Sequence, residues 1–274
     1  MKAGLILPPR PSRLKKGVVV ATVIVALYGV LAYAALPWAW THYEHQRGLE
    51  GLPMVTRTAQ DIPGDPLNVG LVGSREDIAR AMLAAGWSPA DPITWRTSLE
   101  IAGSVLLDRP YPDAPVSPLF YLGRREDLAY EKEIGSSADR RHHVRFWKTL
   151  DSGEEGRPVW LGSATLDRSA GLSHYTGQIT HHIAPDLDAE RDLLISDLVG
   201  AGMVTTLYQV SGIGPTLNGR NGGGDRYYTD GEIHMAVLVV DGQKTKQVPT
   251  ELPSPGFVSL KDALWEQGAN SLKK

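Results

Sequence analysis

HHVRFWKTLDSGEEGRPVWLGSATL, residues 142–166, is the stretch on which the fold turns. Two strand-forming runs, HHVRFWKTL (142–150) and PVWLGSATL (158–166), flank a Gly-containing loop, which is the pattern of an antiparallel hairpin. Alternation puts His142, Val144 and Phe146 on one face of the first strand and His143, Arg145 and Trp147 on the other. Val144 and Phe146 mark the expected core face. His143 and Arg145 then stand side by side on the opposite face, either solvated or gathered round an anion.

Working outward, LNVGLVG (67–73) reads as a buried strand. SREDIARAMLAAGW then reads as a helix capped by Ser74, with Asp77 three residues on. A second helix is expected over Thr97 to Leu107, closed by the proline-rich DRPYPDAPVSP. SPLFYLG (117–123) and LAYEKEI (128–134) read as short strands, and Pro185 opens a helix through about Gly200. MVTTLYQVS and EIHMAVLVV are two more strands, the second apolar enough to be central, and SLKDALWEQ is a short helix in the tail. This order predicts an α+β fold: a mixed, largely antiparallel sheet flanked by helices. The expected divisions are a basic tail (1–16), a membrane span (17–40), a linker (41–66), a globular domain (67–250) and a C-terminal tail (251–274).

The span is GVVVATVIVALYGVLAYAALPWAW, 24 residues from Gly17 to Trp40 without a charge. A helix of that length reaches about 36 Å, against a hydrocarbon core of about 30 Å. Trp38 and Trp40 suit an aromatic belt, and five basic residues precede the segment. The positive-inside rule then puts the body on the extracytoplasmic, periplasmic side. Ala32-Tyr33-Ala34 also has the A-x-A form of a signal-peptide cleavage site, but the apolar run continues past it. Either way the body is expected outside the cytoplasm.

The net charge of −3 conceals an asymmetry. Setting aside the five basic residues of 1–16 leaves 23 of the 28 against 31 acidic ones, a balance of −8. An acidic body speaks against nucleic acid as a partner. The chain has no cysteine, which excludes disulfides, thiolate nucleophiles and Cys-ligated zinc. GxGxxG after a strand, GxxxxGK[ST] and GxSxG are all absent.

Three features could carry chemistry. The first is the pair His143 and Arg145, a proton shuttle beside a planar fork of donors. The second is THHIAPDLDAERD (180–192). On a helix starting at Pro185, Arg191 falls on the stripe of Leu187, Leu194 and Leu198, with Glu190 beside it, and a charge there needs a partner. Asp186 and Glu190 lie four apart and repel unless a cation or arginine sits between them. With His181 and His182 they make a set suited to a divalent metal cofactor such as zinc, manganese or iron. The plain alternative is that Asp186 and Asp188 complement a helix dipole. The third is Asn221-Gly222-Gly223-Gly224-Asp225-Arg226, where glycines free the backbone to approach a ligand or merely connect two strands. His42, His45, His174 and His234 read as incidental.

APVSPLFYLGRREDLAYEK (114–132), RRHHVRFWKTL with PVWLGSATLDR (140–168) and THHIAPDLDAERDLL (180–194) together resemble the LssY-like carboxy-terminal domain, over about residues 66–240. The resemblance implies a bacterial module without an assigned activity. It also implies frequent company with multi-spanning membrane segments of phosphatidic-acid-phosphatase-like or DedA-like type. This chain has one candidate span and no phosphatase signature, so no catalytic residue carries over.

The leading expectation is therefore a membrane-anchored domain that binds an anionic or phosphorylated envelope molecule and, if it is an enzyme, hydrolyses it. Arg145, Arg191, Asp186, Asp188, Asp225 and Arg226 would contact the ligand, and His143, His181, His182 and Glu190 would handle protons. The alternatives are a non-catalytic domain docking onto a membrane or envelope protein, and a metallohydrolase.

Overall fold

The computed structural model describes residues 13–38, 45–90, 118–135, 137–177, 179–210 and 218–272. The helix expected over 97–107 lies outside them, as do most of the basic tail and Trp40. Two compact units divide the chain, Met1–Tyr43 and Glu44–Lys274.

In the first unit, helix α1 (Arg13–Val30) continues through a π-helical turn (Leu31–Ala35), giving a candidate membrane span Arg13–Trp38 of 26 residues. The helix runs unbroken through Ala32-Tyr33-Ala34. After the basic first turn (Arg13, Lys15, Lys16) its side chains are apolar on every side apart from Thr22, and none is buried, which makes it long and apolar enough to cross a membrane. Its hydroxyl at Thr22 donates back to Val18 O at 2.9 Å, so no polar side-chain group is stranded on that turn.

The second unit is a three-layer α+β body. Its centre is a nine-stranded mixed sheet in the order β15-β11-β14-β3-β9-β8-β7-β4, with β10 also paired to β9. The strands are β3 (Val69–Val72), β4 (Ser88–Pro89), β7 (Leu128–Ile134), β8 (Ser137–Leu150), β9 (Val159–Leu172), β10 (Ile179–Ile183), β11 (Val204–Val210), β14 (Ile233–Leu238) and β15 (Thr250–Glu251). Pairing is antiparallel except for β14 with β3 and β11 with β15. The two end strands, β4 and β15, have two residues each. A smaller sheet of β1 (Val55–Thr58), β2 (Pro63–Pro66), β5 (Leu119–Tyr121) and β6 (Arg124–Arg125) has the order β2-β1-β5-β6. β12 (Asn218–Arg220) and β13 (Arg226–Tyr228) form a separate ribbon.

Helices α2 (Arg75–Ala84) and α3 (Leu187–Gly200) cover one face of the central sheet. The expected capping box starts α2: Ser74 Oγ accepts from Asp77 N at 3.0 Å, and Asp77 Oδ2 accepts from Ser74 N at 3.1 Å. Ile78, Ala81 and Met82 of α2 and Leu194 and Leu198 of α3 pack on Val69, Leu71, Val144, Phe146 and Trp160. On the opposite face, Leu119 and Tyr121 of the smaller sheet join Trp147, Leu161, Met235 and Val237 in a second core. The face of β8 that carries His143, Arg145 and Trp147 is therefore buried too. The sheet is a middle layer, and its strands have two insides.

Two expected boundaries move. Residues 41–66, expected as a linker, fold from Gln46 onward into the body: Leu49 and Met54 are buried in the second core, and DIPGDP supplies β2 instead of a bare turn. The tail carries a longer helix, α4 (Gly256–Leu272), whose Val258 is buried and whose Lys261 pairs with Glu232.

The long hairpin places Gly162 opposite Phe146. A Cβ at Gly162 would lie 2.6 Å from two Phe146 ring carbons and 2.9 Å from Arg145 O, with backbone and buried ring both in the way. Gly162→Ala is expected to destabilise the body by about 1–3 kcal/mol through overpacking. Chemical denaturation of the full chain would measure it, and a loss below about 0.5 kcal/mol would mean the ring shifts freely.

Candidate functional site

The odd-numbered residues of β8 and β9 facing the smaller sheet change character along the strands. At one end they are Trp147, Val159 and Leu161. Toward the other they are His143, Arg145, Ser163, Thr165 and Asp167, all buried. Asp65 of β2, His181 of β10 and Asn221 of the β12–β13 turn close over this polar end. Together with Thr58, Ser173 and Gly222 they line a cavity of about 110 Å³.

Within it, His181 Nδ1 lies 3.2 Å from Asp167 Oδ2. An ionised carboxylate can only accept, so Nδ1 is the donor, and in the neutral ring Nε2 is left as the acceptor. Burial would raise the Asp167 carboxyl, but the His181 hydrogen bond, with His143 and Arg145, outweighs it and holds the group below its ordinary value. Arg145 Nη1 is 3.8 Å from Asp65 Oδ2, and Asn221 Nδ2 donates to Asp65 Oδ1 at 3.0 Å. Burial raises the Asp65 carboxyl despite Arg145. Burial, then the charge of Arg145, pushes His143 down to about 3, so it is neutral at ordinary pH. Ser163 Oγ is buried without a hydrogen-bond partner among the described residues.

Asn221 shapes the glycine turn. Its side-chain oxygen accepts from Gly223 N at 3.0 Å and Asp225 N at 2.9 Å, while Gly224 N donates to Asn221 O at 2.9 Å. Gly224 has φ +90°, and a Cβ there would strike His174 at 2.7 Å, so two requirements call for glycine.

Of the expected site residues, Arg145 and His181 line this cavity and the glycine turn forms part of its wall, while His143 is buried outside the lining, within electrostatic reach of Arg145, Asp167 and His181. His182 points elsewhere: its Nδ1 donates to Asp225 Oδ1 at 2.8 Å, beside the turn. Arg226 is exposed and outside the cavity lining.

The expectation that Glu190 shares a hollow with His143 is corrected. Glu190 Oε2 lies 2.6 Å from His142 Nδ1, on the helix-covered face of the sheet. Alternation sends His142 and His143 to opposite sides, and α3 packs on the side of His142.

Asp186, Asp188 and Arg191 also stand apart, in a second and larger hollow of about 520 Å³ that Asp230 and Trp265 help to line. Asp186 caps α3, accepting from Ala189 N at 3.3 Å and from the Tyr228 hydroxyl at 3.2 Å. Arg191, 3% exposed, donates through Nη1 to both Asp230 oxygens at 2.8 and 2.9 Å and through Nε to Asp192 at 2.8 Å. Burial and the neighbouring Asp230 push Asp188 up to about 6. Arg191 is thus already taken up by Asp188, Asp192 and Asp230, and Asp186 by the helix end and Tyr228.

Reading the sequence missed Asp65, which sat inside a turn cluster, and Asp167. The polar positions 163, 165 and 167 alternate in step with 143 and 145, a signal visible in the paired strands. No comparable signal marks Asp65.

The fold and this buried ionisable cavity define a class: a three-layer α+β domain in a chain that also has one helix long and apolar enough to cross a membrane. The family is specific: residues 49–233 match the family described as LssY C-terminus, and the chain belongs to it. The match begins at the buried Leu49, inside the segment first read as a linker. No curated protein and no solved structure matches the chain.

Proposed function

We propose that the chain is a membrane-anchored envelope protein whose body faces the extracytoplasmic side and binds, then hydrolyses, a small molecule bearing an anionic, phosphate-like group. The apolar helix beside five basic residues supports the anchoring and the orientation. The observation that carries the ligand reading is a single cavity lined by both the Asp167–His181 pair and Arg145.

In this reading Asp167 orients the imidazole, and His181 Nε2 takes a proton from a water as its oxygen bonds to the ligand's phosphorus; the ester P–O bond breaks, and the imidazolium returns that proton to the departing oxygen. Arg145 receives the anionic oxygens through its fork of donors. Asp65, Arg145's present partner, would give up that contact to the anion and take a proton from solvent, an uptake that its burial favours. His143 is a positioning residue: buried and neutral, it backs the pair without adding charge.

The full chain in detergent would be assayed with bis(p-nitrophenyl) phosphate and p-nitrophenyl phosphate, and titrated with inorganic phosphate by calorimetry. His181→Gln is expected to lower kcat at least about tenfold with little change in phosphate affinity, and Arg145→Gln to weaken phosphate binding at least about tenfold. If phosphate does not bind and neither ester is cleaved, the reading fails, and a domain docking onto a membrane or envelope protein takes its place.

A further inference from the structure

Next to the glycine turn that lines the cavity, His174, His182 and Asp225 bring three ligand atoms within 4.8 Å of one another. His182 Nδ1 is 2.8 Å and His174 Nε2 3.9 Å from the same oxygen, Asp225 Oδ1. We propose that these three side chains bind one divalent transition-metal ion of the Zn²⁺ type. This site does not depend on the hydrolytic reading above.

Donor type, charge and support all agree. Two imidazoles and one carboxylate suit zinc, manganese or iron better than calcium or magnesium, which favour oxygen ligands. Two ligands of one zinc ion, each at about 2.0–2.2 Å, lie at most about 4.4 Å apart. The Asp225 and His182 atoms already satisfy this, and the 62% exposed His174 side chain is free to adjust. The second Asp225 oxygen is held from behind, accepting from Ile183 N at 3.1 Å, the kind of support that orients a metal-ligating carboxylate. The backbone of His174 is fixed as well, its N donating to Gly223 O at 2.9 Å.

Glycines make the room. Any Cβ at Gly171 would run into His182 Nε2, and one at Gly224 would meet the His174 side chain. Among the described residues, no lysine or arginine pairs with Asp225. The contrast is Asp230, Glu232 and His234, which also lie close together: there Arg191 and Lys261 already occupy the carboxylates. A metal would have to displace two cations from that trio and none from His174, His182 and Asp225.

The full chain, made without a polyhistidine tag and stripped with chelator in detergent, would be titrated with Co²⁺, read by its visible absorption bands, and then with Zn²⁺ by calorimetry. One ion per chain is expected. His174→Ala and Asp225→Asn should each weaken binding at least about tenfold, and His234→Ala should leave it unchanged. His174 is exposed, so its variant decides the matter even where Asp225→Asn disturbs the turn. Absence of stoichiometric binding, full affinity in His174→Ala, or loss of binding in His234→Ala would each overturn the site.

Discussion

Arg191→Met is expected to cost about 3–5 kcal/mol of stability, the range for removing one partner from a buried ion pair. The guanidinium is 3% exposed and serves Asp230, Asp192 and Asp188 together. Burial would lower its pKa, but Asp230 and Asp188 more than reverse that, and the group stays charged. Methionine has much the same length, so the loss would be of charge and not of volume. Asp188 and Asp230 would then face each other uncompensated. Denaturant unfolding of the full chain in detergent measures the cost. The double variant Arg191→Met/Asp230→Asn should recover part of it, because one of the stranded charges is gone. A single-variant loss below about 1 kcal/mol would mean that water reaches the cluster and the ion pairs contribute little.

Acid should unfold this protein earlier than its carboxylates alone require, and His143 is the reason. Its ordinary value is 6.5 and burial, then Arg145, pushes it to about 3 in the folded body. Between those limits the unfolded chain holds a proton that the folded protein refuses. Stability conferred by neutral His143 is therefore present above pH 6.5 and is lost as pH falls toward about 3. At about 1.4 kcal/mol per pH unit, the effect has a ceiling of roughly 5 kcal/mol. His143→Gln keeps a neutral polar side chain without the proton uptake. Denaturation midpoints measured from pH 7.5 to pH 4 should fall more steeply for the natural chain than for the variant. Parallel curves would show that His143 is hydrated or is protonated without cost.

The sequence was most legible where one residue's chemistry acts locally. Ser74 and Asp77 announced a helix start three residues apart, and both hydrogen bonds of the box are present. The alternation through 142–147 placed each side chain on its side of β8. What alternation does not encode is what covers a face. The side of β8 bearing His143 and Arg145 looked outward because the smaller sheet that buries it comes from remote chain, 55–66 and 119–125. A run such as DIPGDP carries the residues of a turn, and only its pairing with β1 makes it a strand.

The site was half legible for the same reason. His181 and His182 are neighbours in sequence, yet one turns to Asp167 and the other to Asp225, partners on different elements. Glu190 sat within one short stretch with both histidines, but α3 carries it to the other side of the sheet, to His142. Proximity along the chain suggested one hollow. The pleat and the helix divide those residues among several.

The central sheet also ends in a telling way. Its two outermost strands, Ser88–Pro89 and Thr250–Glu251, are two residues long. Pro89 has no N–H to offer, and Pro249 and Pro253 flank the other strand. These strands pair with only two residues each of β7 and β11, and the prolines in and beside them limit how far a further strand could extend the sheet at those positions.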